Sequence, residues 1–164
     1  MQVFIHYFGP SSTTRAVGAS PGEGTWVPIW FLGSSLYGAQ LAAYFGLPYA
    51  FASHFAPTML SEALKVYRET FQPSETLSKP HVMVAAGVCV ADSDAEAKFL
   101  RSSQMLAFAK LRSGNPGKLP RPSHEAESQI SGAMKTQIAH AMSCSAVGSA
   151  DTAARQLRGL LDTY

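Results

Sequence analysis

The stretch that decides the fold spans residues 28–55 and reads PIWFLGSSLYGAQLAAYFGLPYAFASHF. An unbroken apolar run predicts a buried strand over 27–32, and the small and apolar residues that follow at helical spacing predict a helix over 35–45. Gly46 is typical of a helix end, and the apolar residues behind it predict a second buried strand over 49–52. A strand, a helix and a strand in succession favour parallel pairing.

The rest of the chain continues this alternation. A third apolar run predicts a strand over 82–91, the glycines and prolines of 113–129 predict an irregular loop, and 147–149 is typical of a turn. Strands this apolar need cover on both faces, which either a barrel wall or an open doubly wound sheet provides. The spacing of apolar residues predicts further helices over 57–71, 95–111, 130–142 and 150–161.

Composition narrows the class of protein. The chain has 164 residues, 46% hydrophobic and only 15% charged, with a formal net charge of +2. Basic residues are not clustered, which argues against nucleic acid as a partner, and no apolar run is long enough to cross a membrane. The absence of a secretory signal predicts a cytoplasmic protein. Cys89 and Cys144 lack CxxC spacing, so we expect free thiols rather than a disulfide.

One domain is expected over 1–164. It is predicted to begin with an N-terminal segment and loop over 1–26, followed by three β/α units over 27–112. An irregular loop over 113–129 and C-terminal helices over 130–164 complete it.

Gly33, Ser34 and Ser35 stand where the first predicted strand meets the first helix. Free backbone N–H groups and the helix dipole favour an anion at such a point, and the two hydroxyls add donors, so the turn has the chemistry of a phosphate site. The alternative is that Ser34 merely caps the helix. Neither GxGxxG nor GxxxxGK[ST] is present, so the turn is not a dinucleotide fingerprint or a P-loop.

Four linked blocks resemble the C-terminal half of the luciferase-like monooxygenases, the flavin-dependent relatives of bacterial luciferase. The resemblance extends in order over nearly all of 27–161. The blocks are PIWFLGSSLYGAQLAAYFGLPYAFASHFAP, YRETFQPSETLSKPHVMV, ADSDAEA and SAVGSADTAARQL.

The resemblance implies a (β/α)8 barrel that binds FMN at the carboxyl ends of its strands. It implies that Gly33, Ser34 and Ser35 hold the flavin phosphate, with Tyr37 near them. His54, at the end of the second predicted strand, becomes a candidate catalytic proton donor or flavin neighbour; the alternative is a polar side chain bonded to loop backbone. No pair of histidines has metal-ligand spacing, so a metal site is not expected.

The implied function is that of an FMN-dependent monooxygenase or related oxidoreductase, which uses reduced flavin and O₂ on a small organic substrate. A complete barrel of this type needs about 250 residues, so the resemblance implies a partial barrel in a truncated chain. Exposed strand edges then predict a homo-oligomer. The alternative function is that of a non-catalytic barrel remnant that binds a partner chain or a phosphate-bearing ligand.

Overall fold

The computed structural model describes residues 7–10, 18–53 and 57–164 of the chain. Within these residues short strands alternate with helices. The strands are β1 (Phe31–Gly33), β2 (Tyr49–Phe51), β3 (Val82–Val84), β4 (Gly87–Val90) and β5 (Ser145–Gly148). The helices are α1 (Leu36–Tyr44), α2 (Leu60–Thr70), α3 (Asp94–Arg112), α4 (Gly132–Ala141) and α5 (Ala150–Thr163), and a short 3-10 helix, Pro57–Met59, leads into α2.

The strands pair in parallel throughout the described part of the chain. β1 pairs with β2, β2 pairs with β3, and β4 pairs with β5. The register places Leu32, Ala50 and Met83 side by side in one row across the first three strands. The predicted α/β fold with parallel strands is therefore confirmed.

β3 and β4 lie within the segment that the sequence predicts as one strand over 82–91, and that prediction is wrong because a bulge divides it. Before the bulge the even-numbered Val84 packs against the helices. After it the odd-numbered Cys89 does so, its Sγ donating to a backbone carbonyl of α3 at 3.4 Å. The alternation of side chains has thus shifted by one residue, which marks a bulge. The segment pairs first with β2 and then, on its other edge, with β5.

Two other strand boundaries differ from the prediction. β1 begins only at Phe31 rather than at residue 27, since Pro28 has no N–H to donate to a ladder and Val27 is exposed. β5 lies partly on the predicted turn over 147–149. Its sequence, Ser-Ala-Val-Gly, has too little apolar surface to be distinguished from a turn by pattern alone.

The main core lies between the first three strands and the helices α1 and α2. Tyr49, Phe51, Leu64 and Tyr67 are its largest buried side chains, and alanines of both helices let the backbones approach closely. A smaller cluster of Leu106, Ala126, Ile130 and Ile138 joins α3 and α4 to the segment between them. The main core lies on the side of the strands that the helices cover.

The opposite face of the strands is open, contrary to the expectation of cover on both faces. Leu32 is 70% exposed, Met83 53%, Val88 54% and Val90 47%. These side chains alternate along their strands with less exposed ones on the helix side, so one face is packed and the other is largely bare and apolar. None of the helices in the described residues is long and apolar enough to span a membrane.

Gly46 ends α1 as predicted. A substitution at this position tests how tightly the end of the helix is packed. Its φ is +60°, and a Cβ there would lie 2.5 Å from the Gln72 carbonyl oxygen and 2.6 Å from the Ser74 Cβ. We expect Gly46→Ala to cost more than the roughly 1–2 kcal/mol that left-handed backbone alone costs a non-glycine residue. The measurement is the free energy of unfolding in urea.

Gly114 is the matched control. Its φ is +72°, but no atom lies within 4 Å of the position of a Cβ. Gly114→Ala should therefore cost only the conformational part. Equal losses for the two variants would contradict the packing described at Gly46.

Candidate functional site

The carboxyl ends of parallel strands lie at one edge of the sheet, and we call that edge the rim. The turn Gly33–Ser34–Ser35 follows β1, Ser53 follows β2, and Ser149 follows β5. Loops at this edge are where α/β folds of parallel strands bind their ligands, because several strand ends converge there.

Ser35, rather than Ser34, caps α1. Its backbone is extended (φ −140°, ψ 161°), and its Oγ accepts a hydrogen bond from the Gly38 N–H at 3.3 Å. The alternative in which Ser34 caps the helix is therefore wrong, because Ser34 stands one residue too early to reach that N–H.

Ser34 is exposed, and no hydrogen bond of its hydroxyl to any residue of the described ranges is present. The backbone N–H groups of Leu36 and Tyr37 likewise have no partner among the described residues. These amides belong to the first turn of the helix, whose N–H groups have no acceptor inside the helix. A free hydroxyl and two free amides thus stand together at the positive end of the helix dipole.

A side chain at position 33 would face the helix layer, in ordinary van der Waals contact with it. A Cβ there would lie 3.6 Å from the Gly38 Cα and 3.7 Å from the Tyr49 hydroxyl oxygen, so it would point toward the helix side. The end of β1 and the first turn of α1 thus lie against each other at Gly33 and Gly38. Tyr37, the other predicted neighbour of the phosphate, is 69% exposed on the first turn of α1.

Charge distinguishes α1 from the other described α-helices that follow strands. Each of the others has an acidic residue in its first turn: Glu62 in α2, Asp94 and Glu96 in α3, and Asp151 in α5. The first turn of α1 has none. An anionic ligand would meet carboxylates at those other helix ends, whereas the end of α1 presents only donors.

Asp94 shows how one of these other ends is already occupied. Its Oδ1 accepts a hydrogen bond from the Ser149 N–H at 2.6 Å, and its Oδ2 accepts one from the Thr152 hydroxyl at 3.2 Å. The bond from the Ser149 backbone lowers the pKa of Asp94 below its usual value. The sequence gives no signal of this contact, because the two residues are 55 positions apart.

Tyr49 supports the turn from beneath. It is fully buried between the rings of Phe51 and Tyr67, and its hydroxyl donates to the Ser35 carbonyl at 3.2 Å. Burial raises the pKa of Tyr49 to about 12. The sequence predicts Tyr49 only as a strand residue; the one available signal is that a buried tyrosine hydroxyl needs a partner.

The predicted proton donor, His54, lies outside the described residues and stays a prediction from the sequence. Ser53, the residue before it, is fully buried, and its hydroxyl donates to the Ala85 carbonyl. His81 precedes β3 at the end opposite the rim, where its ring packs edge-on against Trp30 at 5.2 Å. His124 stacks on Phe99 at 4.4 Å.

Neither thiol has the surroundings of a nucleophile. Cys89 and Cys144 are both free, and burial raises the pKa of Cys144, which disfavours the reactive thiolate. Among the residues that the structure describes, no three potential metal ligands lie close enough to share an ion.

Comparisons with known proteins now give the family. The model of a family described as luciferase-like monooxygenase matches residues 5–164. The chain is 46% identical over 144 residues to a protein of Escherichia coli K12 named luciferase-like monooxygenase, covering 88% of this chain and 43% of that protein. It is 38% identical over 159 residues to the uncharacterized protein YvbT of Bacillus subtilis, covering 96% of this chain and 47% of that protein.

The chain belongs to the luciferase-like monooxygenase family. Its fold also matches a solved structure, apo-MsnO8, with a TM-score of 0.68 and 27% identity, covering 92% of this chain and 46% of that one. The chain spans less than half the length of these relatives. Luciferase-like monooxygenases generally use a flavin-type cofactor, FMN or F420. The family resemblance seen in the sequence is thus confirmed.

The buried Tyr49 hydroxyl, which lies beneath the turn, predicts how the stability of this luciferase-like chain depends on pH. The pKa of Tyr49 is near 10 in the unfolded chain and about 12 in the folded one, so above pH 10 the unfolded state loses its proton first. We therefore expect the free energy of unfolding to fall as the pH rises from 10 to 12, by up to about 3 kcal/mol from this group. Tyr49→Phe should remove that part of the slope. At neutral pH it should cost about 0.5–1.5 kcal/mol for the lost hydrogen bond.

The control is Tyr44→Phe, since the Tyr44 side chain lies on the same helix–strand unit but is 64% exposed. It should leave the slope of the wild type unchanged. Urea unfolding at several pH values measures all three chains. A slope in Tyr49→Phe as steep as in the wild type would show that the Tyr49 hydroxyl is not the group that titrates.

Proposed function

We propose that this chain is the phosphate-binding half of a flavin-dependent oxidoreductase of the luciferase-like monooxygenase family, and that the flavin is FMN. The single observation that supports the site is the N-terminus of α1. It is the one α-helix following a described strand whose first turn contains no acidic residue; the 3-10 helix Pro57–Met59 has none either, but it is only three residues long. A dianionic phosphate is favoured there by the dipole and by free donors, and nothing of like charge opposes it.

The residues of the turn fit a phosphate ester in number and kind. The Ser34 hydroxyl and the N–H groups of Leu36 and Tyr37 are three donors without partners in the described ranges, and phosphate has three terminal oxygens. The Ser35 hydroxyl is engaged with Gly38 as a cap, so its role is to fix the first turn. The Tyr49 hydroxyl donates to the Ser35 carbonyl from the buried side. This bond fixes the turn, so the hydroxyl and N–H donors are ordered before a ligand binds.

A reduced flavin supplies the chemistry of O₂ activation, while the protein orients it and excludes water. In this proposal the turn anchors the phosphate end, and the exposed ring of Tyr37 flanks it. His54, which follows the buried Ser53 at the end of β2, is proposed as a proton donor at the same rim. The substrate is a small organic molecule that binds at the rim beside the flavin.

A second candidate function is that of a barrel remnant that binds a partner chain without catalysis. The bare apolar face of the strands supports it, because exposed apolar surface on one side of a sheet is typical of an interaction site. The visible absorption spectrum of the purified chain after addition of FMN and desalting distinguishes the two. Retained flavin colour supports the first candidate, and a colourless chain that still binds a partner supports the second.

Ser34→Ala tests the phosphate site directly. Removal of one hydroxyl bond to a charged phosphate should cost roughly 1.5–3 kcal/mol, which weakens FMN binding about tenfold to a hundredfold. Because Ser34 does not cap the helix, the free energy of unfolding without ligand should not change. Flavin fluorescence titration and urea unfolding measure the two quantities on the same chain.

Ser131→Ala is the control for a loss of helix capping. Ser131 caps α4 through the same contact by which Ser35 caps α1, its Oγ accepting from the N–H three residues later, and α4 does not directly follow a strand. We expect Ser35→Ala and Ser131→Ala each to lower stability by about 1 kcal/mol. Only Ser35→Ala should also weaken the binding of FMN. If the wild type binds FMN and Ser34→Ala leaves its dissociation constant unchanged, the phosphate lies elsewhere.

A further inference from the structure

A buried positive charge lies at the amino ends of β4 and β5, which is the end of the strands opposite the rim. Arg101 of α3 is only 8% exposed. Its Nη2 donates to the Ser145 hydroxyl at 2.8 Å, and its Nη1 would lie 3.5 Å from a Cβ at Gly87. Gly87 and Ser145 are the paired first residues of the two strands, so the guanidinium reaches from the helix to both of them.

No carboxylate compensates this charge within the described residues, which include all 11 acidic side chains of the chain. The one ion pair among them joins Lys65 to Glu69. Burial lowers the pKa of Arg101, and the one group that opposes this shift is the Cys89 thiol. That thiol donates a hydrogen bond to the Ala97 carbonyl, so it is neutral. Arginine stays protonated in proteins, and the buried charge therefore persists.

The guanidinium also has more donors than the described residues satisfy. An arginine side chain has five N–H groups and no acceptor. One N–H is engaged with Ser145, and a second donates to the Gln104 Oε1 at 2.6 Å. The remaining three have no partner in the described ranges, although buried donors normally have one. Both the charge and these donors would be satisfied by an anion.

Gln104 adds donors at the point where this site opens to water. Its Oε1 faces Arg101, because a guanidinium can only donate, and its Nε2 group is left without a partner among the described residues. The Gln104 side chain is exposed, whereas the Ser145 hydroxyl is engaged in donating to the Met142 carbonyl. The opening beside Gln104 therefore presents N–H groups of two side chains.

We propose that Arg101 and Gln104 bind a small free oxyanion, a carboxylate or a phosphate group, at the amino ends of β4 and β5. A planar guanidinium pairs with such groups through two parallel hydrogen bonds, and the amide adds a further donor. The described residues already enclose most of Arg101, so the opening admits a small ion rather than another strand or helix. The site lies opposite the Gly33–Ser34–Ser35 turn and does not require flavin.

Formate is the probe, because it is the smallest carboxylate and has no apolar part. The 164-residue chain is titrated without flavin, with sodium chloride holding the ionic strength constant, and the Nε–H resonance of Arg101 is followed by NMR. We expect this resonance to shift to saturation, with a dissociation constant no tighter than roughly 1 mM for so small a ligand. Formate should also raise the free energy of unfolding in urea, because it binds the folded chain.

Two variants separate anion binding from a purely structural role of the arginine. Arg101→Met should abolish the stabilisation by formate and still fold, because an apolar side chain is tolerated in place of a buried charge without a counterion. Gln104→Glu should supply the missing carboxylate from within the chain at an exposed position. It should weaken the binding of formate at least tenfold without loss of stability.

Arg158→Met is the matched control, since Arg158 is exposed on α5 and has no hydrogen bond or ion pair in the described ranges. It removes the same charge and should respond to formate like the wild type. Circular dichroism checks that all variants fold.

Three results would overturn the inference. The first is an Arg101 Nε–H resonance that formate does not move. The second is an Arg101→Met chain that formate stabilises as much as the wild type, and the third is a Gln104→Glu chain that binds formate as tightly. Shifts confined to the Leu36 and Tyr37 amides would assign formate to the turn after β1 and would equally contradict it. A failure of FMN to bind would leave all these measurements unchanged.

Discussion

The rest of this structure depends on the fact that helices cover only one of the two faces of a parallel wall. Tyr49 and Phe51 point into the helix layer, while Leu32 and Met83, on the alternating positions, remain exposed. Burial of the first face orders the strands and, with them, the rim. The apolar side chains of the second face have no cover within the described part of the chain.

The ordering of the rim follows from that one packed face. Buried Tyr49 reaches through to the Ser35 carbonyl, and β1 lies against the first turn of α1 at Gly33 and Gly38. The same turn has no carboxylate, although the other helices that follow described strands each have one in their first turn. Packing and charge therefore both support the proposal that this helix end binds an anion.

Much of this was predictable from local pattern. The stretch over 28–55 contains the strand, the helix, its glycine end and the next strand, and all of them are local features. The sequence did not reveal the bulge between β3 and β4, because a run that is apolar at every position hides a shift of alternation. It also missed β5, whose residues are small, and the contact of Asp94 with Ser149, which depends on two distant segments meeting.

At the site itself, the residue types were predictable but the division of roles between Ser34 and Ser35 was not. Both are serines before a helix, and only the backbone angles decide which one caps it. The most direct measurement is therefore the backbone amide NMR spectrum of the chain during titration with FMN. A phosphate site at the turn predicts that the Leu36 and Tyr37 amides show the largest shifts and that inorganic phosphate reproduces them in part. Large shifts confined to other residues, with these two amides unmoved, would contradict it.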